Sequence, residues 1–281
     1  MNAKPKIDRD NNQGHHTRVI AISGGKGGVG KSTLTINLSV CLSRLNQRVM
    51  ILDADLGLAN IDVLLGLKAQ RNLEDVYSGA CDLQDVTLDG PDNIRIIPAS
   101  SGTQSMVNLT SQQHAGLVHA FSDFADSIDT LVIDTAAGIS DSVIQFIRAA
   151  QEALIVVCDE PSSLTDAYAM IKLLHRDHSV DEFRIIVNQT RSKKEGLELY
   201  QRLLNTANQF LDVQLRYEGD IPYDEALREA IKQQQAVTVK SPRSESAKAF
   251  KRLAERVLGW PVKSNPSGEL EFFVEQLLRK T

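Results

Sequence analysis

Residues 18–33 read RVIAISGGKGGVGKST, and this stretch decides the fold. Its first part, RVIAIS at 18–23, is short, β-branched and apolar on both faces, which is typical of a buried parallel strand. A helical stripe of leucines follows within 31–45. The glycine-rich loop between them matches G-x-x-x-x-G-K-S, and a strand before and a helix after it are the context this motif requires. The motif residues are Gly25, Gly30, Lys31 and Ser32.

This loop has the chemistry of a phosphate site. Glycines let the backbone bend so that successive N–H groups point at phosphate oxygens, and the following helix adds its positive N-terminal end. Lys31 is predicted to reach the β- and γ-phosphates, and Ser32 to ligate Mg²⁺. The alternative interpretation is a glycine-rich turn with an incidental lysine. The complete motif between strand and helix favours the nucleotide site.

The alternation of apolar strands and helices continues along the chain. It predicts an α/β fold with a mainly parallel sheet, helices on both faces and a single domain. The predicted strands after the first are 48–55, 93–100, 130–136, 153–159 and 183–189, and helices are predicted over 142–151 and 164–175.

Carboxylates follow two of these strands. Asp53 and Asp55 lie two residues apart, so on an extended segment they share one face. Aspartates at a strand end also commonly cap the next helix, and this interpretation stays open for both. Asp134 ends the apolar run LVID and is shortly followed by Gly138. A carboxylate at the carboxyl end of a strand beside a phosphate loop can hold Mg²⁺ through water.

With Lys26 as an additional early lysine, KGGVGKST resembles the deviant Walker A motif of the ParA/MinD superfamily of P-loop ATPases, and the resemblance covers about 18–258. It implies that Lys26 acts in trans on the nucleotide of a partner subunit. It also implies that Asp55 in switch I orients or deprotonates the attacking water and that Asp53 supports the Mg²⁺ end. Asn60 is implied to contact the nucleotide region, and the Gly138 N–H to bond the γ-phosphate.

Two further segments, IIVNQT at 185–190 and GDIPYD at 219–224, resemble the adenine-side segments of the same family. They imply that Asn188 bonds the base and that Pro222 and Tyr223 flank it, although Asn after a strand and Ile-Pro in a loop are also ordinary turn chemistry. The predicted catalytic residues are Lys26, Lys31 and Asp55. The predicted Mg²⁺ residues are Ser32, Asp55 and Asp134. The predicted ATP-binding residues are Gly24, Gly25, Lys26, Gly27, Gly28, Val29, Gly30, Lys31, Ser32, Thr33, Asn60, Gly138, Asn188, Pro222 and Tyr223.

Within the superfamily, the phrasing DADLGLANIDVLLG, SSGTQSM and DEPSSLTDAYAMIKLL is similar to the flagellar number regulators of the FlhG/FleN branch. That resemblance implies an ATP-dependent homodimer that restricts flagellar number, opposes an enhancer-binding FleQ/FlrA-like activator and is reset by slow hydrolysis. It also implies contacts with the FlhF GTPase and flagellar switch proteins. Residues 1–16 lack the DQAxxLR-like motif of many members, which puts FlhF stimulation in doubt. The alternatives are a MinD-type division-site ATPase and a ParA-type partition ATPase.

The composition argues against several other classes of protein. The formal net charge of -5 argues against a surface that coats nucleic acid, and no sequence-specific DNA binding is expected. The three cysteines, Cys41, Cys81 and Cys158, are widely spaced and form no CxxC pair, which favours reduced cytosolic thiols. None lies beside Gly138, as an iron–sulfur reductase of this superfamily would need. No signal peptide or membrane span is evident, so a soluble cytoplasmic protein is expected.

The predicted domain organisation is a polar tail at 1–16, the ATPase domain at 17–258, a linker at 259–268 and an amphipathic helix at 269–281. Two interpretations of the last segment stay open. It can bind the inner face of the cytoplasmic membrane at the cell pole, as the resemblance suggests, or pack on the protein itself. Its three glutamates outnumber its two basic residues, whereas membrane-surface helices usually present a basic polar face.

Overall fold

The computed structural model describes residues 16–55, 60–99, 111–261 and 272–273. Within these residues eight strands form one sheet with the order β3-β4-β2-β5-β1-β6-β7-β8, parallel except for the β3–β4 pair. The strands are β1 (Arg18–Ser23), β2 (Val49–Ala54), β3 (Leu88–Asp89), β4 (Arg95–Ile97), β5 (Thr130–Thr135), β6 (Glu152–Cys158), β7 (Glu182–Thr190) and β8 (Gln214–Pro222). The predicted α/β class with a mainly parallel sheet is confirmed.

Helices cover both faces of the sheet, as predicted. They are α1 (Lys31–Arg44), α2 (Ile61–Leu64), α3 (Leu73–Tyr77), α4 (Ser111–Ala120), α5 (Asp141–Ala149), α6 (Pro161–His178), α7 (Lys193–Phe210), α8 (Glu225–Lys232), α9 (Val237–Lys240) and α10 (Glu245–Leu258). Short 3₁₀ segments lie at Pro91–Asn93 and Phe121–Phe124. Helices α4 to α7 pack on one face, and α1, α2 and α8 to α10 pack on the other.

The central strand shows why these apolar runs form a buried sheet. In β1, Val19 and Ala21 belong to the core under α4 to α7, whereas Ile20 and Ile22 belong to the core under α1 and α10. All four are fully buried. Because successive side chains point to opposite faces, a strand between two helical layers must be apolar at every position.

Two elements have different bounds in the structure from those predicted. The strand predicted over 93–100 is shorter, because Asp92 and Asn93 have φ of 54° and 61° and left-handed backbone cannot extend a strand. The helix predicted over 164–175 is longer, because Pro161 is compatible with the first helical position. It ends at His178, because the following residue, Ser179, has a left-handed φ of 55°.

Strand β8 was absent from the predicted strands. It forms the edge of the sheet, and its sequence QLRYEGDIP alternates between buried and exposed residues instead of running apolar. A search for continuous apolar runs therefore passes over it. Its carboxyl end nevertheless carries Pro222 to the same edge of the sheet as the phosphate loop.

Of the segment predicted as a C-terminal amphipathic helix, only Phe272 and Phe273 are described. Both are buried, and the Phe272 N–H donates to the Ala149 carbonyl at 3.1 Å. The Phe272 ring packs edge-on against Phe121 with centroids 5.2 Å apart. These two residues are thus docked on the core beside α5, although Phe273 has a φ of 57° and lies in a turn.

The rest of that segment, the tail at 1–15 and residues 262–268 of the predicted linker lie outside the described residues. No helix in the described part of the chain is both long and apolar enough to span a membrane.

Candidate nucleotide site

The loop of residues 24–30 joins the carboxyl end of β1 to the start of α1. Gly28 and Gly30 have φ of 81° and 94°, a conformation that L side chains rarely adopt. A Cβ at Gly30 would also lie 2.2 Å from the Asn188 side-chain nitrogen. That nitrogen donates to the Val29 carbonyl at 2.7 Å. The loop is therefore held in its curved form from the β7 side, with space for glycine alone at its last turn.

The first part of the loop, at Gly25 and Lys26, contacts the start of α6. A Cβ on Gly25 would lie 2.4 Å from the Asp166 carbonyl carbon. Lys26 forms an ion pair with Glu160 and donates to the Ser162 hydroxyl at 2.9 Å. The bond to Glu160 is the main reason that the pKa of Lys26 lies above its usual value. In this conformation Lys26 is directed to its own subunit.

Lys31 lies at the first position of α1 and is 8% exposed. Burial lowers the pKa of its ammonium group, while the carboxylates of Asp134 and Asp55 oppose that shift. A buried cation of this kind is stabilised by an anion that enters the loop. The predicted contact between Lys31 and phosphate therefore agrees with its surroundings.

Asp134 is the second-last residue of β5, beside the phosphate loop, and is 1% exposed. Its Oδ1 accepts from the Thr35 hydroxyl at 3.1 Å, and the Ser32 hydroxyl lies close enough to influence its pKa. The buried Oδ2 atom has no hydrogen-bond partner among the described residues. Burial raises the pKa of Asp134, whereas Ser32 and Lys31 oppose that shift.

The oxygen atoms of Asp134 and Ser32 are suitable ligands for Mg²⁺. The ion takes oxygen ligands, keeps several of its waters and uses one or two carboxylates at nucleotide sites. The unpartnered carboxylate oxygen of Asp134 and the nearby hydroxyl of Ser32 offer such ligands, and a divalent cation would offset the cost of a buried charge at Asp134. The predicted residues Ser32 and Asp134 lie together, and Asp55 lies close enough to Lys31 to influence its pKa.

The contacts of Asp53 are those of a carboxylate that fixes the backbone after its strand, and its implied support of the Mg²⁺ end stays a prediction. It is fully buried beside Asp134 in the register of β2 and β5. Its carboxylate accepts from the backbone N–H groups of Asp55, Asn60 and Ile61 at 3.1, 2.9 and 3.1 Å. Asp53 thus fixes both ends of the switch I segment and caps α2, which was the alternative interpretation.

The remaining predicted switch residues surround the loop. The Asn60 side-chain nitrogen donates to Asp55 Oδ2 at 3.4 Å, across residues 56–59 that lie outside the described residues. Gly138 has a φ of 90°, and its N–H donates to the Gly24 carbonyl at 3.3 Å. The N–H predicted to bond a γ-phosphate is therefore engaged with the phosphate loop in this structure.

A cavity of about 400 Å³ opens beside the loop and brings the predicted base-side residues together. Tyr223 stands at its mouth with 51% of its surface exposed, and its hydroxyl accepts from Arg228 at 2.8 Å. Asn188 also lines the cavity, but its amide oxygen accepts from the Gln189 N–H at 2.9 Å. With its nitrogen bonded to Val29, Asn188 braces the loop in addition to facing the cavity. The lining includes Gly30, Thr33, Asn188, Pro222, Tyr223 and Arg228.

Several contributing residues were not predicted from the sequence: Thr35, Glu160, Ser162 and Arg228. Thr35 had a usable signal, because it lies four residues after Lys31 and so shares its helix face. Glu160 and Ser162 contact Lys26 across more than 130 residues of chain, and no local pattern indicates such a pair.

Comparison with known proteins shows which sequences and structures this chain resembles. The family model described as ParA, NUBPL iron-transfer P-loop NTPase, matches residues 15–258. The antiactivator FleN of Pseudomonas aeruginosa is 57% identical over 94% of this chain and 95% of its own length. The flagellum site-determining protein YlxH of Helicobacter pylori is 32% identical over 99% of this chain and 92% of its own.

Among solved structures, the septum site-determining protein MinD of Pyrococcus horikoshii OT3, complexed with Mg-ADP, superposes with a TM-score of 0.71. It is 29% identical, and the match covers 86% of this chain and 96% of that one.

The cysteines of the present chain are all free and lie on separate elements, with Cys41 in α1, Cys81 after α3 and Cys158 at the end of β6.

Proposed function

Because this chain belongs to the ParA/MinD family of P-loop NTPases, on the branch that includes FleN, we propose that it is an ATP-dependent switch that restricts flagellar number. The observation that carries the proposal is the 57% identity with antiactivator FleN over nearly the whole of both chains. The phosphate loop, the buried carboxylate and the base-side cavity described above supply the site that such a switch needs.

In the proposed cycle ATP enters the loop of residues 24–30. Its phosphates accept from the loop N–H groups and from Lys31, whose ammonium lies buried next to them. Ser32 and Asp134 would hold Mg²⁺, which neutralises charge on the β- and γ-oxygens when bound. The adenine occupies the cavity beside Asn188 and Tyr223.

The γ-phosphate changes the two switch segments. In the structure the Gly138 N–H donates to the Gly24 carbonyl at 3.3 Å. The γ-phosphate offers this N–H a charged acceptor, and the N–H bonds to the phosphate instead. Switch I is fixed at both ends by Asp53, so a small shift of that anchor moves Asp55 into line with the attacking water. Loss of the γ-phosphate reverses both changes.

Dimerisation completes the site. Lys26 of each subunit leaves Glu160 and reaches the phosphates bound by the other subunit, where a cation stabilises the charge of the transition state. Hydrolysis therefore requires the dimer and also ends it. The two-subunit ATP state is the form that holds off an enhancer-binding transcription activator in the cytoplasm.

The function is tested by deletion of the gene in its native host, with flagella per cell counted by electron microscopy and minicells scored in the same cells. We expect several flagella per cell and normal division. The wild-type copy should restore the original number. A Lys31→Ala copy should not, because it lacks the phosphate contact. An Asp55→Ala copy should reduce flagella below the wild-type number, because a dimer that cannot reset keeps the activator blocked.

Normal flagellation after deletion would contradict the proposal. If minicells or chromosome-free cells appeared instead, the nucleotide site would stand and the function would move to division or partition.

A further inference from the structure

The last turn of α2 contacts the turn that follows α8. Gln234 lies in the second of these turns, and its side-chain amide donates to the Val63 carbonyl at 2.8 Å. The same side chain packs against Gly66, where a Cβ would lie 3.3 Å from the Gln234 Oε1 atom. The two bonded residues are 171 positions apart in the chain. One glutamine therefore joins the end of switch I to the end of α8.

The backbone around Gln234 has the hydrogen bonds of a Schellman motif. The Gln234 N–H donates to the Ile231 carbonyl at 3.0 Å, and the Gln235 N–H donates to the Ala230 carbonyl at 3.0 Å. Gln234 occupies the left-handed position of this motif with a φ of 54°, where glycine is the favoured residue. A glutamine there costs conformational energy, and its side chain supplies the contact with α2 in return.

Helix α8 forms one wall of the base-side cavity. The residues of α8 that line the cavity are Leu227, Arg228 and Ile231. Ile231 also accepts the hydrogen bond from the Gln234 N–H, so the cavity wall and the turn share a residue. A base that fills the cavity therefore packs against the helix that places Gln234.

Helix α2 has only four residues, Ile61–Leu64, and both of its ends are held by other elements. Asp53 accepts from the N–H groups of Asn60 and Ile61 at its start, and it also accepts from the N–H of Asp55. Gln234 holds the opposite end through Val63. A displacement of α2 at Val63 therefore acts on the same carboxylate that fixes the backbone of Asp55.

We propose that Gln234 is a positioning residue through which a base in the cavity stabilises switch I in the arrangement needed for hydrolysis. This inference rests on the proposed function, because it requires ATP in the site and Asp55 beside the attacking water. A purine packs against α8 and immobilises the turn at Gln234. That turn then holds α2 against Asp53. A pyrimidine has one ring, fills less of the cavity and leaves α8 and α2 less restrained.

The contact affects turnover more than nucleotide affinity. Gln234 is absent from the residues that line the base-side cavity, so its loss removes no contact with the base. What it changes is the fraction of bound molecules whose switch I is in place. A neutral hydrogen bond shifts such an equilibrium by about 2- to 10-fold.

The test measures steady-state hydrolysis of ATP and of CTP with Mg²⁺, at protein concentrations at which turnover per subunit no longer rises. Gln234→Ala should lower kcat for ATP by about 2- to 10-fold and leave KM within about twofold of wild type. Its kcat for CTP should change less than its kcat for ATP. A general folding defect would lower both in the same proportion.

Gln233→Ala is the matched control. Gln233 lies in the same turn, but its side-chain amide donates to Glu229 at 2.6 Å, within α8 itself. This variant should keep the wild-type kcat for both nucleotides. Equal slowing by Gln233→Ala would contradict the inference, because any change in the turn would then have the same effect.

Gln234→Gly separates the side-chain contact from the backbone conformation. Glycine adopts the left-handed position without strain, so this variant should melt at or above the wild-type temperature. It should nevertheless hydrolyse ATP as slowly as Gln234→Ala, because both lack the contact with α2. A wild-type kcat for Gln234→Gly would show that the side chain is dispensable and would overturn the inference.

The remaining outcomes distinguish the two levels of the argument. An unchanged kcat for Gln234→Ala, or a higher KM at the wild-type kcat, refutes the role of Gln234 and leaves the ATP switch in place. If the wild-type protein itself hydrolyses no ATP, the proposed cycle fails, and the role of Gln234 fails with it.

Discussion

Asn188 shows how one side chain links two parts of the site. Its amide nitrogen donates to the Val29 carbonyl and its amide oxygen accepts from the Gln189 N–H. The residue is 5% exposed and lines the base-side cavity. Contact with a base at Asn188 would therefore act directly on the backbone of the proposed phosphate site.

Asn188→Ala should weaken ATP binding about tenfold, because each buried backbone group that loses its partner costs roughly 1–3 kcal/mol and the loop loses its curvature. Fluorescence titration with a labelled ATP measures the change. Tyr223→Phe is the matched control, since it keeps the ring at the cavity and should bind within about twofold of wild type. Unchanged affinity for Asn188→Ala would show that the loop keeps its form without this brace.

Sequence could place some of these residues and not others. Lys31, Ser32 and Asp134 follow from motif spacing, because a strand–loop–helix unit has one geometry and parallel strands end at one edge. Asp53 was assigned to the Mg²⁺ end, but its three backbone bonds depend on how switch I folds back, which spacing does not reveal. Glu160 meets Lys26 only after β1 and β6 pair.

At the scale of elements, a buried ionic cluster joins β6, β7 and β8. The Arg184 side chain is 3% exposed and bonds Glu152 and Glu218 at 2.7 and 2.6 Å. Its guanidinium carbon also lies 3.9 Å from the centre of the Trp260 ring. The cluster thereby ties the edge of the sheet to the end of α10.

Arg184→Met should lower the free energy of unfolding by about 3–5 kcal/mol, because it leaves two buried carboxylates without their cation. Chemical unfolding of the nucleotide-free protein measures the change. The addition of Glu152→Gln and Glu218→Gln to that variant should recover much of the loss. Arg216→Met is the control: its pair with Glu182 is 2.6 Å long but Arg216 is 43% exposed, so it should cost less than about 1 kcal/mol. Equal losses for Arg184→Met and Arg216→Met would contradict the assignment.

The surroundings of edge strand β8 explain why this strand was absent from the predicted strands. Its outer side is closed by side chains: the Tyr200 hydroxyl donates to the Leu215 carbonyl at 2.8 Å, and Arg256 donates to the Glu218 carbonyl at 2.5 Å. Such capping lets an edge strand be polar and still remain unpaired with another chain. The apolar signal used to predict the inner strands is therefore missing where the sheet ends.

At the scale of the whole molecule, the order of the strands explains why one edge carries the entire site. β1, β2 and β5 are neighbours in the sheet, and the phosphate loop, switch I and the segment that contains Gly138 follow them at their carboxyl ends. Apolar runs and the phosphate motif were sufficient to predict the mainly parallel sheet, but they did not give the order of its strands. The position of the C-terminal segment was not predictable, because an apolar face alone does not distinguish a membrane from a protein surface; Phe272 and Phe273 now lie against the core.

The central claim, that ATP drives two copies together, is tested most directly by light scattering coupled to size exclusion. Each sample contains Mg²⁺ and either no nucleotide, ADP or a slowly hydrolysed ATP analogue. The account predicts a monomer in the first two samples, twice that mass in the third, and a monomer throughout for Lys31→Ala. A chain that stays monomeric with saturating ATP analogue, or a Lys31→Ala variant that dimerises with it, would contradict the account.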